Sequence, residues 1–128
     1  MTKRLVIFAG YDKDNMIDDY VIYYIKELKK IADIIYVSDC NMLENELSKI
    51  SQYCIHIING RHGEYDFGSY KRGYFYAKEK NILKDYDYLM FINDSVYGPF
   101  FDLKEIVEKM ENKNYDAWSM FHLSLIHI

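Results

Sequence analysis

Leu5-Val6-Ile7-Phe8-Ala9-Gly10 is an unbroken apolar run closed by a glycine, and its reading decides the fold. With no polar residue to face water, a strand here must be buried on both faces, which is the habit of parallel sheets. The period then changes. Ile17, Tyr20, Val21, Tyr24, Ile25, Leu28 and Ile31 recur every three or four residues and line one face of a helix. Asp14 or Asn15 is placed to cap that helix, Asp18 and Asp19 fall in its first turns, and Lys26, Lys29 and Lys30 fall near its end, in keeping with the helix dipole. Ile34-Ile35-Tyr36-Val37 makes a second buried strand, closed by Ser38 and Asp39.

The same alternation continues to the end of the chain. Leu43, Leu47 and Ile50 mark a shorter helix, and Cys54-Ile55-His56-Ile57-Ile58 a third strand. A polar, glycine-bearing loop leads into a helix over Tyr70 to Lys80, followed by a strand over Tyr88 to Ile92. Asp102 and Glu105 form a capping box for a fourth helix with Leu103, Ile106, Val107 and Met110 as its apolar face, and Ala117 to Phe121 is a fifth strand. Apolar strands joined by amphipathic helices close as a mostly parallel sheet covered on both faces. The expected architecture is therefore α/β, a Rossmann-like three-layer sandwich, with no internal repeat and no linker to divide it.

Composition narrows the function. A chain of 128 residues, half of them hydrophobic and 17% aromatic, suits one domain with a real core. The net charge is −4 and no block of Lys and Arg occurs, so a nucleic-acid partner is excluded. The 14 tyrosines offer flat faces and hydroxyls suited to sugars and bases, though AT-rich codon usage accounts for them equally well. Cys40 and Cys54 have neither metal nor redox spacing and are expected as buried, reduced thiols; His56, mid-strand among isoleucines, is expected to pack in the core. No charged-then-apolar leader precedes Leu5, and no run approaches the ~20 apolar residues of a membrane span. The expected location is cytoplasmic, with peripheral association at the inner face of the membrane left open.

In such sheets ligands collect beyond the carboxyl ends of the strands. Four polar clusters stand there: Gly10-Tyr11-Asp12, Ser38-Asp39, Asn59 to Gly68, and Asn93-Asp94-Ser95. Asp39 can accept hydrogen bonds from a ribose or base, or simply close a turn. In the third cluster Gly63 and Gly68 permit close backbone approach, Arg61 and Lys71 can neutralise phosphates, and Asp66 lies just before the expected helix start. Read blandly, that stretch is a solvated loop with Asp66 as the helix cap. His62 beside Arg61 is either a phosphate contact or a solvated loop residue. Asp94, closing a strand before the chain's single proline, Pro99, can hold Mg²⁺ or Mn²⁺ against a diphosphate, or be a turn residue. Neither a Walker loop nor GxGxxG is present, which argues against an ordinary NTPase or dehydrogenase.

Gly63-Glu64-Tyr65-Asp66-Phe67-Gly68-Ser69-Tyr70-Lys71 and Phe91-Ile92-Asn93-Asp94-Ser95-Val96-Tyr97-Gly98-Pro99, together with Phe8-Ala9-Gly10-Tyr11-Asp12 and Tyr36-Val37-Ser38-Asp39, resemble the rhamnan synthesis protein F family over about residues 4 to 118. The resemblance implies a GT-A-type glycosyltransferase of rhamnose-containing polysaccharide and lipopolysaccharide assembly, with a nucleotide-sugar donor and a glycan or lipid-linked acceptor. By position, Asp39 would touch the nucleoside. Arg61, Gly63, Asp66, Gly68 and Lys71 would line the diphosphate-sugar pocket, and Asp94 would stand where many GT-A enzymes place a DxD motif. Here Asn93-Asp94-Ser95 supplies one carboxylate instead of two, so Asn93 and Ser95 become candidates for hydrogen bonding the donor directly. The alternative is a non-catalytic Rossmann-like nucleotide- or carbohydrate-binding domain. A flavodoxin-like or receiver-like domain requires an acidic pair after the first strand and a Lys after the last, which Gly10-Tyr11-Asp12 does not supply.

After Trp118 the resemblance fades, and His122 and His127 lie in that tail. Leu123-Ser124-Leu125-Ile126-His127-Ile128 is the translation of CTG TCT CTT ATA CAC ATC, a transposon end used in preparing sequencing libraries. The expected division is therefore a donor-binding part of a glycosyltransferase domain at 1–122 and a non-native tail at 123–128. A catalytic base for the acceptor hydroxyl is expected outside this chain.

Overall fold

The computed structural model describes residues 2–94 in full and, as backbone, the strands at 117–120 and 123–127. The strands are β1 (Arg4–Gly10), β2 (Asp33–Ser38), β3 (His56–Ile58), β4 (Tyr88–Asn93), β5 (Ala117–Met120) and β6 (Leu123–His127). The helices are α1 (Asp19–Lys29), α2 (Glu44–Leu47) and α3 (Tyr65–Glu79), with single 3₁₀ turns at Ser51–Tyr53 and Leu83–Asp85. The expected capping box at 102 and 105, the helix face at 103–110, Ser95 and His122 lie outside the described residues.

The sheet order is β3-β2-β1-β4-β6-β5. The first four strands are parallel, while β6 runs antiparallel to β4 and β5. The architecture is thus the expected Rossmann-like α/β sandwich with a mostly parallel sheet. Leu123–His127, expected as a tail, occupies a place inside the sheet instead of trailing from it.

Every residue of β1 is buried, because the two sides of the sheet are covered by different helices. Val6, Phe8, Ile34, Tyr36, Met90 and Ile92 meet Val21, Tyr24, Ile25 and Leu28 of α1 on one side. Leu5, Ile7, Ile35, Val37 and Leu89 meet α3 through Ala77, Tyr70 and Tyr74 on the other. α3 can lie close because its inner face is made of small residues, Gly68, Ser69, Gly73 and Ala77. A Cβ at Gly73 would stand 2.5 Å from Ile7 Cγ2.

Two helix starts differ from the sequence reading. α1 begins at Asp19 with Asp18 in the N-cap position. Asp14 and Asn15 belong instead to a turn in which the Asp12 carboxylate accepts the N–H groups of Asp14 (2.9 Å) and Met16 (3.1 Å). α3 begins at Tyr65 instead of Tyr70, so Asp66 sits in its first turn. Glycine and serine at 68 and 69 suggest a loop by propensity, but they are the packing face of a helix.

The connections through β2 and β3 step one way across the sheet, and α3 carries the chain back to β4 on the other side of β1. The order therefore reverses between β1 and β4. A crevice opens at such a reversal, outside the carboxyl ends of the strands. Register brings those ends level: Gly10 pairs with Ser38, and Ala9 with Asn93. Among the described residues no helix is long and apolar enough to cross a membrane.

Candidate functional site

A cleft of about 660 Å³ occupies the reversal point. Tyr11 and Asp12 line it from β1, Asp39 and Asn41 from β2, Arg61, Gly63, Tyr65 and Asp66 from the approach to α3, and Asp94 from β4. Five expected site residues, Asp39, Arg61, Gly63, Asp66 and Asp94, thus face one space. Tyr11, Lys13, Asn15 and Asn41 are added to them. The cluster at Gly10-Tyr11-Asp12 signals part of this addition in sequence; Asn41 has no signal there.

Asp94 and Asp66 are held by neighbours at the ends of β1 and β4. Tyr11 N–H donates to Asp94 Oδ2 at 2.8 Å, and Asn93 Nδ2 donates to Asp66 Oδ2 at 3.0 Å. Asn93 is itself buried, at 8% exposure, so it orients Asp66 from below the cleft. Burial, which outweighs the opposing Tyr11 N–H, pushes the Asp94 carboxyl up to about 6, with smaller added repulsion from Asp66 and Asp12. Asp39 is shifted oppositely. Burial works against its charge, but N–H groups from Gly63, His62 and Tyr65 hold the carboxyl below its usual range. Oδ1 takes the Gly63 and His62 N–H groups at 2.8 Å each. Asp39 therefore builds the loop over the cleft as well as lining it.

The loop is pinned further by polar side chains to which the sequence reading gave no such role. Asn59 Oδ1 accepts from Ser38 Oγ (2.7 Å) and Met42 N–H (3.1 Å), and its Nδ2 donates to Met42 O (2.9 Å). Arg61 N–H donates to Asn41 Oδ1 at 3.1 Å, and Asn41 N–H to Asn15 Oδ1 at 2.9 Å. His62 is neither solvated nor turned to the cleft; its ring is tucked under the loop with 4% of the side chain exposed.

Asp39, His62 and Ser69 invite comparison with a nucleophilic triad, with His62 Nε2 2.8 Å from Ser69 Oγ. Two observations exclude it. His62 Nδ1 accepts the Glu64 N–H at 3.0 Å, so Nε2 carries the proton and donates to the serine instead of receiving from it. Ser69 is also 1% exposed, within α3. Burial foremost, against the opposing Asp39 and Glu64 carboxylates and with help from Arg72 and Lys71, lowers the His62 pKa. The group is an anchor.

Gly68 and Lys71 are placed elsewhere. Gly68 is buried on α3, where an added Cβ would come within 2.3 Å of Glu64 Cβ and 2.9 Å of His62 Cε1. The Lys71 ammonium pairs with Glu64 Oε2 at 3.2 Å, and Arg72 pairs with Glu64 Oε1. Lys71 also borders a second, apolar groove of about 550 Å³ with Phe67, Tyr70, Tyr74, Leu83, Leu89 and Phe91. His56 is half-buried and stacks on Tyr76, with ring centroids 3.8 Å apart. Cys40 and Cys54 are free thiols, and burial pushes Cys54 up to about 12.

Among the described residues no three His, Cys, Asp or Glu side chains converge as a metal-ligand set. Asp94 with Asp66 fits a divalent ion only if a ligand's phosphate oxygens complete its shell.

Similar proteins share this framework. Protein y4gN of Sinorhizobium fredii, uncharacterized, is 24% identical over 118 residues, covering 92% of this chain and 30% of the relative. Virulence protein VirA of Vibrio anguillarum is 30% identical over 101 residues, covering 77% of this chain and 32% of the relative. This chain spans about a third of the length of either. Among solved structures, TarS of S. aureus superposes with a TM-score of 0.54 at 15% identity, over 91% of this chain and 21% of its own. A protein of Desulfovibrio desulfuricans assigned as a nucleotide-diphospho-sugar transferase gives 0.53 at 15% identity, over 99% of this chain and 64% of its own. These structures share the fold. The family model for rhamnan synthesis protein F matches residues 34–126, which hold β2, β3, α3, β4 and most of the cleft. The chain belongs to the rhamnan synthesis protein F family.

Proposed function

We propose that the chain forms the donor-binding part of a GT-A-type glycosyltransferase that takes a nucleoside-diphosphate sugar, rhamnosyl in the first instance, for surface polysaccharide or lipopolysaccharide assembly. The carrying observation is the cleft at the β1/β4 reversal, where Asp39, Arg61, Asp66 and Asp94 from three strand ends face one space. Arg61 suits a diphosphate, whose charge a transferase must stabilise as the leaving group departs. Asp94 and Asp66 suit a divalent ion shared with that diphosphate, which would supply Lewis-acid stabilisation of the leaving group.

Calorimetric titration of uridine and thymidine diphosphate, with and without Mn²⁺, tests the reading. Asp94→Ala and Asp66→Ala should each weaken binding in Mn²⁺ by roughly tenfold or more, the scale of one lost charge-assisted contact. Unchanged binding in both variants removes the site.

The single carboxylate in Asn93-Asp94-Ser95 favours one competing reading, a non-catalytic nucleotide-binding domain. Nucleotide binding without sugar transfer by the protein extended to the length of its relatives would select it.

A further inference from the structure

Three described non-glycine residues have positive φ: Asn15 at 58°, Asn81 at 58° and Tyr65 at 60°. Asparagine tolerates this left-handed region because its short amide bonds locally; tyrosine has no such compensation, and a glycine at 65 would avoid the steric cost. The strain yields no packing in return. Tyr65 is 84% exposed, the highest value among the exposed large apolar residues described, and it lies at the start of a helix whose other tyrosines, Tyr70, Tyr74 and Tyr76, pack against the sheet side of the core. Its backbone N–H faces the Asp39 carboxylate and contributes to lowering its pKa. Tyr65 is one of the residues that line the polar cleft. A bulky aromatic kept in a costly conformation, unpacked and at the edge of a binding cleft, is the pattern of a residue retained for what it touches.

We infer that Tyr65 is a binding contact of the cleft, offering its ring face to the nucleobase of the bound nucleotide. The inference rests on the proposed donor-binding reading. A flat ring presented from the first residue of α3 matches a heteroaromatic base, and stacking of this kind tolerates different bases because each has a π face. Arg61, Asp66 and Asp94 are left to the phosphate end of the ligand.

The test compares uridine diphosphate, thymidine diphosphate and inorganic pyrophosphate on the wild-type protein and on Tyr65→Phe, Tyr65→Ala and Tyr65→Gly. Tyr65→Phe should bind both nucleotides as the wild type does, and Tyr65→Ala should lose about tenfold for each, with pyrophosphate affinity unchanged. Tyr65→Gly should show the same loss of affinity while its Tm holds or rises, because the backbone strain is relieved. Equal losses for pyrophosphate would overturn the inference in favour of general loop disruption, and no loss for either nucleotide would overturn it outright. If the wild type binds neither nucleotide, the donor-site reading itself fails and this inference falls with it.

Discussion

Asp39 and Asp94 follow the two parallel strands that flank β1, yet their environments move them in opposite directions. Asp39 is surrounded by backbone N–H groups that favour its charge, whereas Asp94 is half-buried, and burial together with Asp66 and Asp12 opposes its charge. For Asp94 the folded value of about 6 exceeds the ordinary 3.8, so between those limits the folded state holds the extra proton. Stability from this group is then fully present below about pH 4 and lost as pH rises through about 6. Asp94→Asn keeps an acceptor for the Tyr11 N–H and removes the titration. The ligand-free variant should be more stable than wild type by roughly 1–3 kcal/mol at pH 7.5, with the gap closing toward pH 4. Thermal melts across that range check it, and a gap that ignores pH would refute the burial argument. A strand ending in Asp94 is legible in sequence, but the sign of its shift is not. That sign depends first on how deeply the strand end is buried in the fold, to which Asp66 adds from a helix whose start the sequence does not announce.

α3 shows how an element can be hidden by the residues that position it. Gly68, Ser69 and Gly73 have poor helix propensity, so a reading by propensity and apolar period starts the helix at Tyr70. Those small residues are what brings the helix axis down onto β1, with Gly73 facing Ile7. Gly73→Ala should gain up to about 1 kcal/mol in helix propensity but force Ile7 or the helix to move. Overpacking of that kind costs about 1–3 kcal/mol, so the net expectation is a less stable protein with unchanged helical content. Denaturant unfolding followed by circular dichroism measures both, and a stabilised variant would contradict the close packing. Strands were easier to read. β1, β2 and β4 are buried on both faces, and their boundaries differ from the apolar runs by a residue or two because hydrophobicity alone marks such strands. The polar loop from Asn59 to Glu64 was legible only as a loop, since Asn59, His62 and Asp39 hold it through bonds between residues distant in sequence.

At the scale of the whole molecule, the reversal between β1 and β4 places the cleft, and β6 extends the sheet beyond β4. The position of β6 is set by backbone pairing: Leu123 to His127 pairs with β4, and Leu123 to Ile126 with β5. An apolar stretch of that length with strand propensity can fill such a slot whatever its origin, because main-chain N–H and C=O groups carry the ladder. Occupancy of the slot, and a family match reaching residue 126, are therefore compatible with a stretch that did not evolve there. We propose that Leu123-Ser124-Leu125-Ile126-His127-Ile128 is encoded by transposon-end DNA, whose codons spell the same six residues. Amplifying the locus from genomic DNA and reading through codon 122 should reveal a different continuation, one that still supplies a strand of about five residues to pair with β4. A genomic reading that retains these six codons in frame would refute the proposal and make β6 the protein's own strand.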